Sequence, residues 1–93
     1  MKRYVIDSVE SIQEFFTDLH LRTRQAVAAE VDLSELTDDR GSTIFSKIEA
    51  DYLDNILLDC FVYCLDHHLD LDEIVEVVQQ QLCFENSIFN LCL

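Results

Sequence analysis

The spacing of apolar residues along the chain predicts a helical protein. Apolar side chains recur mainly at steps of three and four positions, which is the spacing of one face of an α-helix. The chain has no proline and a single glycine, Gly41, so few residues interrupt this pattern. The predicted elements are helices over 8–30, 43–67 and 71–84 and a short helical turn over 33–36.

Short polar residues precede each predicted helix and can accept hydrogen bonds from its first free amides. Asp7 and Glu10 have the three-residue spacing of a capping box. Asp70 and Glu73 repeat that spacing before the third helix. The serine and threonine at 42–43 are expected to cap the second helix.

These elements predict a single domain of the all-α class, a small antiparallel bundle of three main helices plus a short helical turn. Short connections between amphipathic helices favour antiparallel neighbours. The terminal stretches "RYVI" (3–6) and "SIFNLCL" (87–93) are rich in residues that favour strands. They are expected either to pair as two strands or to pack against the bundle as arms.

The charge of the chain narrows the classes of partner. Lys and Arg total 6 against 19 Asp and Glu, which gives a formal net charge of −13. Nucleic acids and anionic membranes bind basic surfaces, so direct binding to either is not expected. No apolar run reaches the roughly 18 residues that a membrane-spanning helix needs. A basic protein surface is the partner that this charge favours.

The first residues and the cysteines together indicate a reducing compartment. The opening "MKRYVIDSVES" has two basic residues followed by acids and polar residues, a pattern unlike that of a signal peptide. Four cysteines without such a signal indicate reduced thiols. The expected location is the cytoplasm, and no cofactor is predicted.

The stretch "DCFVYCLDHH" (59–68) is the most chemically suggestive part of the chain. Cys60 and Cys64 lie one helical turn apart in an apolar arc, and free cysteine is commonly a buried small hydrophobe. The alternative is a metal site with His67 or His68 as a third ligand. A core helix is the prediction, because structural zinc takes cysteine pairs from loops and needs a fourth ligand. The histidines suit the end of the helix, where its dipole favours positive charge.

The stretch "LDNILLDCFVYCLDHHLDLDEIVEVVQQQL" (53–82), followed by "CFEN", combines an acidic helix, a short turn and an amphipathic helix. A shorter acidic segment, "AVAAEVDLSEL" (26–36), precedes it. In this arrangement the chain resembles the MazG-like all-α nucleoside triphosphate pyrophosphohydrolases. That resemblance implies magnesium held by paired acids one helical turn apart, with Glu30 as one ligand.

The chain departs from the pattern of that family at the other ligand positions. Tyr52 and Asn55 stand where the resemblance implies Glu and Asp, and Leu33 stands where a partner acid of Glu30 is expected. A register shifted by one residue brings Asp51 and Asp54 into the set. The alternative function is therefore a degenerate hydrolase of this kind, with the metal ligands Glu30, Glu49, Asp51 and Asp54.

Acidic residues form rows along the predicted helices. Carboxylates four positions apart repel one another and destabilise a helix by about 0.2–0.5 kcal/mol for each pair. Either the acidity serves solubility alone, or the rows are a surface for a basic partner. In charge alone, the chain resembles DNA-mimicking inhibitors and nuclease-neutralising immunity proteins. The candidate binding residues are Glu10, Glu14, Asp18, Asp51, Asp59, Asp66, Asp72 and Glu76.

The predicted function is that of a small acidic interaction protein without enzymatic activity, an inhibitor or adaptor that binds a basic protein. A homodimer is also predicted. Leu58, Val62 and Leu65 lie on the side of the central helix opposite the cysteines, so this helix is apolar nearly all round. Such a helix is normally buried on all sides, and pairing of two copies is the commonest way to cover it.

Overall fold

The computed structural model describes residues 2–25 and 27–86 and confirms the predicted all-α class. Within these residues the chain forms α-helices and a 3-10 helical turn, and its one isolated β-bridge joins Thr37 to Thr43. The three α-helices pack as a small bundle, in which α1 contacts α3 and α2 contacts both α3 and the 3-10 turn. The elements are α1 at Val9–Thr23, the 3-10 turn at Leu33–Glu35, α2 at Lys47–Asp66 and α3 at Leu71–Asn86.

Helix α1 begins with a capping box made by two serines. The Ser8 hydroxyl accepts a hydrogen bond from the Ser11 amide at 3.1 Å, and the Ser11 hydroxyl accepts one from the Ser8 amide at 3.0 Å. The predicted box of Asp7 and Glu10 is therefore displaced by one residue. The physical reason is that the Ser11 hydroxyl makes the reciprocal bond for which the sequence pattern needs Glu or Gln.

The end of α1 corrects the prediction of a helix over 8–30. The helix stops at Thr23, whose hydroxyl donates to the Leu19 carbonyl at 2.8 Å. Arg24 then adopts a left-handed conformation with φ of 56°, and its amide closes the last turn on the His20 carbonyl at 2.9 Å. Val27 lies beyond the helix and is still only 1 % exposed. Its burial explains why the apolar spacing continued past the true end.

Helix α2 begins at Lys47, four residues later than the predicted start at 43. Its cap is Ser46, whose hydroxyl accepts from the Glu49 amide at 3.1 Å. The residues before it form a loop because the Asp38 carboxylate accepts hydrogen bonds from two backbone amides, those of Arg40 and Ser42. Because these two amides already have hydrogen-bond acceptors, the segment does not need the hydrogen bonds of a helix.

The connection between α2 and α3 has the hydrogen bonds of a Schellman motif. The Leu69 amide donates to the Cys64 carbonyl at 2.8 Å, and the His68 amide donates to the Leu65 carbonyl at 3.4 Å. His68 occupies the left-handed position with φ of 56°, which glycine usually takes. The motif ends α2 sharply and lets α3 start after Asp70, whose carboxylate accepts from the Asp72 amide.

One core joins all of these elements. Tyr4 of the N-terminal arm packs edge-on against Phe15 with ring centroids 5.1 Å apart, so "RYVI" packs as an arm. The prediction for "SIFNLCL" lies outside the described residues. The buried apolar residues are Ile12, Phe15, Phe16, Leu19, Val27, Ala29, Leu33, Phe45, Ala50, Leu53, Ile56, Leu57, Cys60, Cys64, Leu71, Val75, Val78 and Leu82.

Candidate interaction surface

The acidic row on α1 is largely held by the protein's own N-terminal arm. Lys2 Nζ lies 2.7 Å from Glu14 Oε1 and 2.8 Å from Asp18 Oδ2. The Tyr4 hydroxyl donates to the same Asp18 oxygen at 2.7 Å, and its burial with this bond raises the pKa of the Tyr4 phenol. The third member, Glu10, lies in the first turn of α1, where the helix dipole favours negative charge. Each acid of this row therefore has a role within the fold.

The acids of α3 also have local roles. Asp72 lies in the first turn of α3, where it complements the helix dipole. Glu76 Oε1 accepts a hydrogen bond from Gln80 Nε2 at 3.4 Å, one turn further along. These two acids face solvent, and part of their presence is explained by the stability of the helix.

The acids of α2 differ from both of these groups. Asp51, Asp59 and Asp66 are exposed, and the salt bridges within the described residues join other partners, Lys2 to two acids of α1 and Arg22 to Glu49. Asp66 is the last residue of α2, where a negative charge opposes the helix dipole. The carboxylates at 59 and 66 are thus costly or neutral for the fold, and no contact within the described chain offsets them.

An exposed apolar ridge runs beside these carboxylates. Leu58, Val62 and Leu65 are 59 %, 48 % and 75 % exposed. Asp59 and Asp66 each follow a ridge residue by one position, so the acidic row runs about 100° around the helix from the ridge. We call Asp51, Leu58, Asp59, Val62, Leu65 and Asp66 together the α2 outer face. This face combines three acids that the sequence assigned to partner binding with three apolar residues that it assigned to a homodimer.

The ridge leads into a shallow groove where α2 meets α3. The groove has a volume of about 250 Å³. Its apolar walls come from both helices and from the connection between them, and two exposed aspartates also line it. The lining residues are Phe61, Cys64, Leu65, Leu69, Asp70, Leu71 and Asp72.

Cys60 and Cys64 belong to the core, as the apolar arc predicts. They are 0 % and 3 % exposed, and both are free thiols. Burial raises the pKa of the Cys60 thiol to about 12 and raises that of Cys64 as well. His67 instead stacks on Tyr63 with ring centroids 4.0 Å apart. Within residues 2–25 and 27–86, no three His, Cys, Asp or Glu side chains are placed to share a metal ion.

The thiols of α2 are expected to resist alkylation in the folded protein. Iodoacetamide reacts with thiolates, and burial disfavours the thiolate at both Cys60 and Cys64. Peptide mass spectrometry after alkylation at pH 8 should show these two residues unmodified in buffer and fully modified in urea. Rapid labelling of either residue without denaturant would contradict the core assignment.

The acids of the alternative hydrolase site are dispersed over several local environments. Glu49 makes a double hydrogen bond with Arg22, at 2.9 and 3.2 Å. Asp54 is half-buried, and its burial near Asp32 and Asp51 raises the pKa of its carboxyl group. Glu30 is exposed on the segment before the 3-10 turn. The described residues contain no cluster of these acids that would hold magnesium.

Sequence reasoning missed one buried polar residue, His20. It is 0 % exposed, and its Nε2 lies 3.1 Å from the Val27 carbonyl oxygen. Burial lowers the pKa of the His20 imidazole. A signal was present in the sequence, since His20 lies one turn after Phe16 on the apolar face of α1.

Comparison with known protein families, curated proteins and solved structures gives no match to this chain. In the part of the chain that the structure describes, no helix is both long and apolar enough to cross a membrane. A functional conclusion therefore depends on the α2 outer face and the groove beside it.

Proposed function

We propose that this protein is a small, non-enzymatic interaction protein that binds a basic surface of another protein through the α2 outer face. The observation that carries the proposal is the position of Asp59 and Asp66, exposed beside an apolar ridge and without a salt bridge among the described residues. Surfaces that combine apolar contact area with unneutralised charge suit a partner of the opposite charge. An inhibitor or an adaptor is the kind of protein that this arrangement fits.

The charge of the whole chain supports the same proposal. A net charge of −13 attracts a basic partner over the distance of a Debye length, about 8–10 Å at physiological salt. This attraction raises the rate of association and is screened when salt is added. Binding to the true partner should therefore weaken as the salt concentration rises.

The eight candidate acids are not equally suited to bind a partner, because some of them already have a role within the fold. Glu14 and Asp18 already bind Lys2, and the helix dipole explains Glu10 and Asp72. A partner that used the α1 row would have to displace the N-terminal arm. The proposal therefore places the main contact on α2 and leaves the α3 acids at its margin.

The other candidate to bind the ridge is a second copy of the chain. Binding of a second copy would form the homodimer that the sequence predicts. Its supporting observation is the exposure of Leu58, Val62 and Leu65, which a two-fold contact would bury. Sedimentation equilibrium on the wild-type protein and on Val62→Glu measures this directly. No observation among the described residues favours the hydrolase alternative.

Charge reversal on α2 is expected to weaken the binding of a basic probe. The double variant Asp59→Lys, Asp66→Lys should bind a fluorescent decalysine peptide about tenfold more weakly than wild type. A tenfold loss corresponds to about 1.4 kcal/mol of binding free energy. The loss of two exposed ion pairs, together with the repulsion that replaces them, accounts for a change of this size. Fluorescence anisotropy at several NaCl concentrations measures both the affinity and its dependence on salt.

The matched control changes the net charge equally at another surface. Asp7→Lys, Asp39→Lys replaces two exposed acids that lie outside α2 and outside the 3-10 turn packed against it. This control is expected to lose less than threefold in affinity. Equal losses in the two variants would mean that the probe senses only the total charge, and the α2 outer face would not be a binding site.

A further inference from the structure

The ridge on α2 has the spacing by which one helix packs along another. Leu58, Val62 and Leu65 follow one another at steps of four and three residues, the alternation found along helix–helix contacts. The ridge covers about two helical turns, or roughly 11 Å of the helix axis. A straight, narrow ridge of this kind fits the apolar stripe of one further helix.

The groove at the end of the ridge adds a place for a single large side chain. Its volume of about 250 Å³ exceeds that of one leucine or phenylalanine side chain, and Phe61, Cys64 and Leu71 provide apolar walls. Partly enclosed apolar sites of this kind commonly hold the anchor residues that dominate binding energy. Asp70 and Asp72 also line the groove and are exposed, so cations next to the anchor would meet their carboxylates.

The charges around the ridge favour a basic occupant over a second copy of the chain. Asp59 and Asp66 lie along one side of the ridge, and the half-buried Asp54 lies on the other side. A two-fold contact on the ridge would bring both sets of carboxylates together, along with two chains of net charge −13. Like charges brought together at an interface oppose association.

We propose that the occupant of the α2 outer face is an amphipathic helix of a partner protein, with a bulky apolar anchor in the groove and Lys or Arg on both sides of its apolar stripe. This inference rests on the proposed function and specifies the shape of the partner. The apolar stripe covers the ridge, and the basic side chains face Asp59 and Asp66. The cations beside the anchor face Asp70 and Asp72.

Two synthetic peptides separate recognition of an amphipathic helix from recognition of charge alone. The first has 18 residues of leucine and lysine, with the leucines at steps of three and four positions. The second has the same composition, with the leucines distributed so that no apolar face forms. Isothermal titration calorimetry should show the first peptide binding the full-length wild-type protein at least tenfold more tightly than the second.

Substitutions on the ridge identify where the first peptide binds. Leu58→Ser, Leu65→Ser replaces two exposed side chains, so the fold is retained. This variant is expected to bind both peptides equally. The matched control Val5→Ser, Val77→Ser removes two exposed apolar side chains elsewhere and should keep the tenfold preference. Circular dichroism of each variant checks that helix content is unchanged.

The possible results distinguish this inference from the proposed function. Equal, salt-sensitive binding of both peptides to wild type would overturn the amphipathic helix and leave the proposed function standing. Binding of neither peptide would overturn both. A wild-type dimer at micromolar concentration that Val62→Glu dissociates would show that a second copy occupies the ridge, which also overturns the inference.

Discussion

Replacing Phe15 by alanine is expected to lower the free energy of unfolding by about 3–5 kcal/mol. Phe15 is 0 % exposed, and its ring lies between those of Tyr4 and Phe16, at centroid distances of 5.1 and 5.3 Å. The substitution leaves a cavity between the N-terminal arm and α1. Small domains have about 5–15 kcal/mol of stability in total, so the loss is a large fraction of it.

Urea unfolding followed by circular dichroism measures this effect. Val5→Ala is the matched control, because Val5 belongs to the same arm but is 73 % exposed. The control should change the free energy of unfolding by less than about 0.5 kcal/mol. A similar small change in Phe15→Ala would show that the arm and α1 do not share one core.

Acidification from pH 7 to pH 5.5 is expected to destabilise the protein through His20. Burial lowers the pKa of this imidazole below its ordinary value of 6.5, so the folded protein keeps it neutral while the unfolded chain takes up a proton. The stabilisation is fully present above pH 6.5 and is lost as the pH falls below it. The loss for one proton is at most about 1.4 kcal/mol for each pH unit.

The variant His20→Gln isolates this contribution, because a glutamine amide can donate to the Val27 carbonyl and does not titrate. Its free energy of unfolding should fall less than that of wild type between the two pH values, in urea titrations at each. His67→Gln is the control, since His67 is exposed. If wild type and His20→Gln lost the same stability on acidification, His20 would not be held neutral by the fold.

The sequence predicted the order of the helices because each one buries a periodic apolar face. The prediction failed at the C-terminal end of α1 and at the N-terminal end of α2, where side chains form hydrogen bonds with the backbone in competition with the helix. Thr23 and Asp38 do this, and their hydrogen bonds leave no mark in the apolar spacing. The burial of Cys60 and Cys64 was predictable for the opposite reason, because it depends only on their place in the arc.

The candidate surface was predictable only in part. The acidic rows and the ridge on α2 are visible in the sequence, and the structure shows the ridge residues to be exposed. The pairing of Lys2 with Glu14 and Asp18 was not predictable, because it joins residues 12 and 16 positions apart through the packing of the arm. The groove likewise depends on the angle at which α2 meets α3.

Acids that stabilise the fold are distinct from acids that make no internal contact among the described residues. The α1 row stabilises the arm, and the first-turn acids stabilise their helices. Asp59 and Asp66 have neither role, and they lie beside the apolar ridge. We therefore propose, as the central claim, that a basic partner binds the α2 outer face.

Chemical-shift mapping tests that claim most directly. Isotope-labelled full-length protein is titrated with the amphipathic leucine–lysine peptide, and the amide signals are followed by NMR. We expect the largest saturable shifts at 58–66 and at 69–72, with little change at 9–18 on α1. Shifts concentrated on α1, or small shifts spread evenly over the chain without saturation, would contradict the claim.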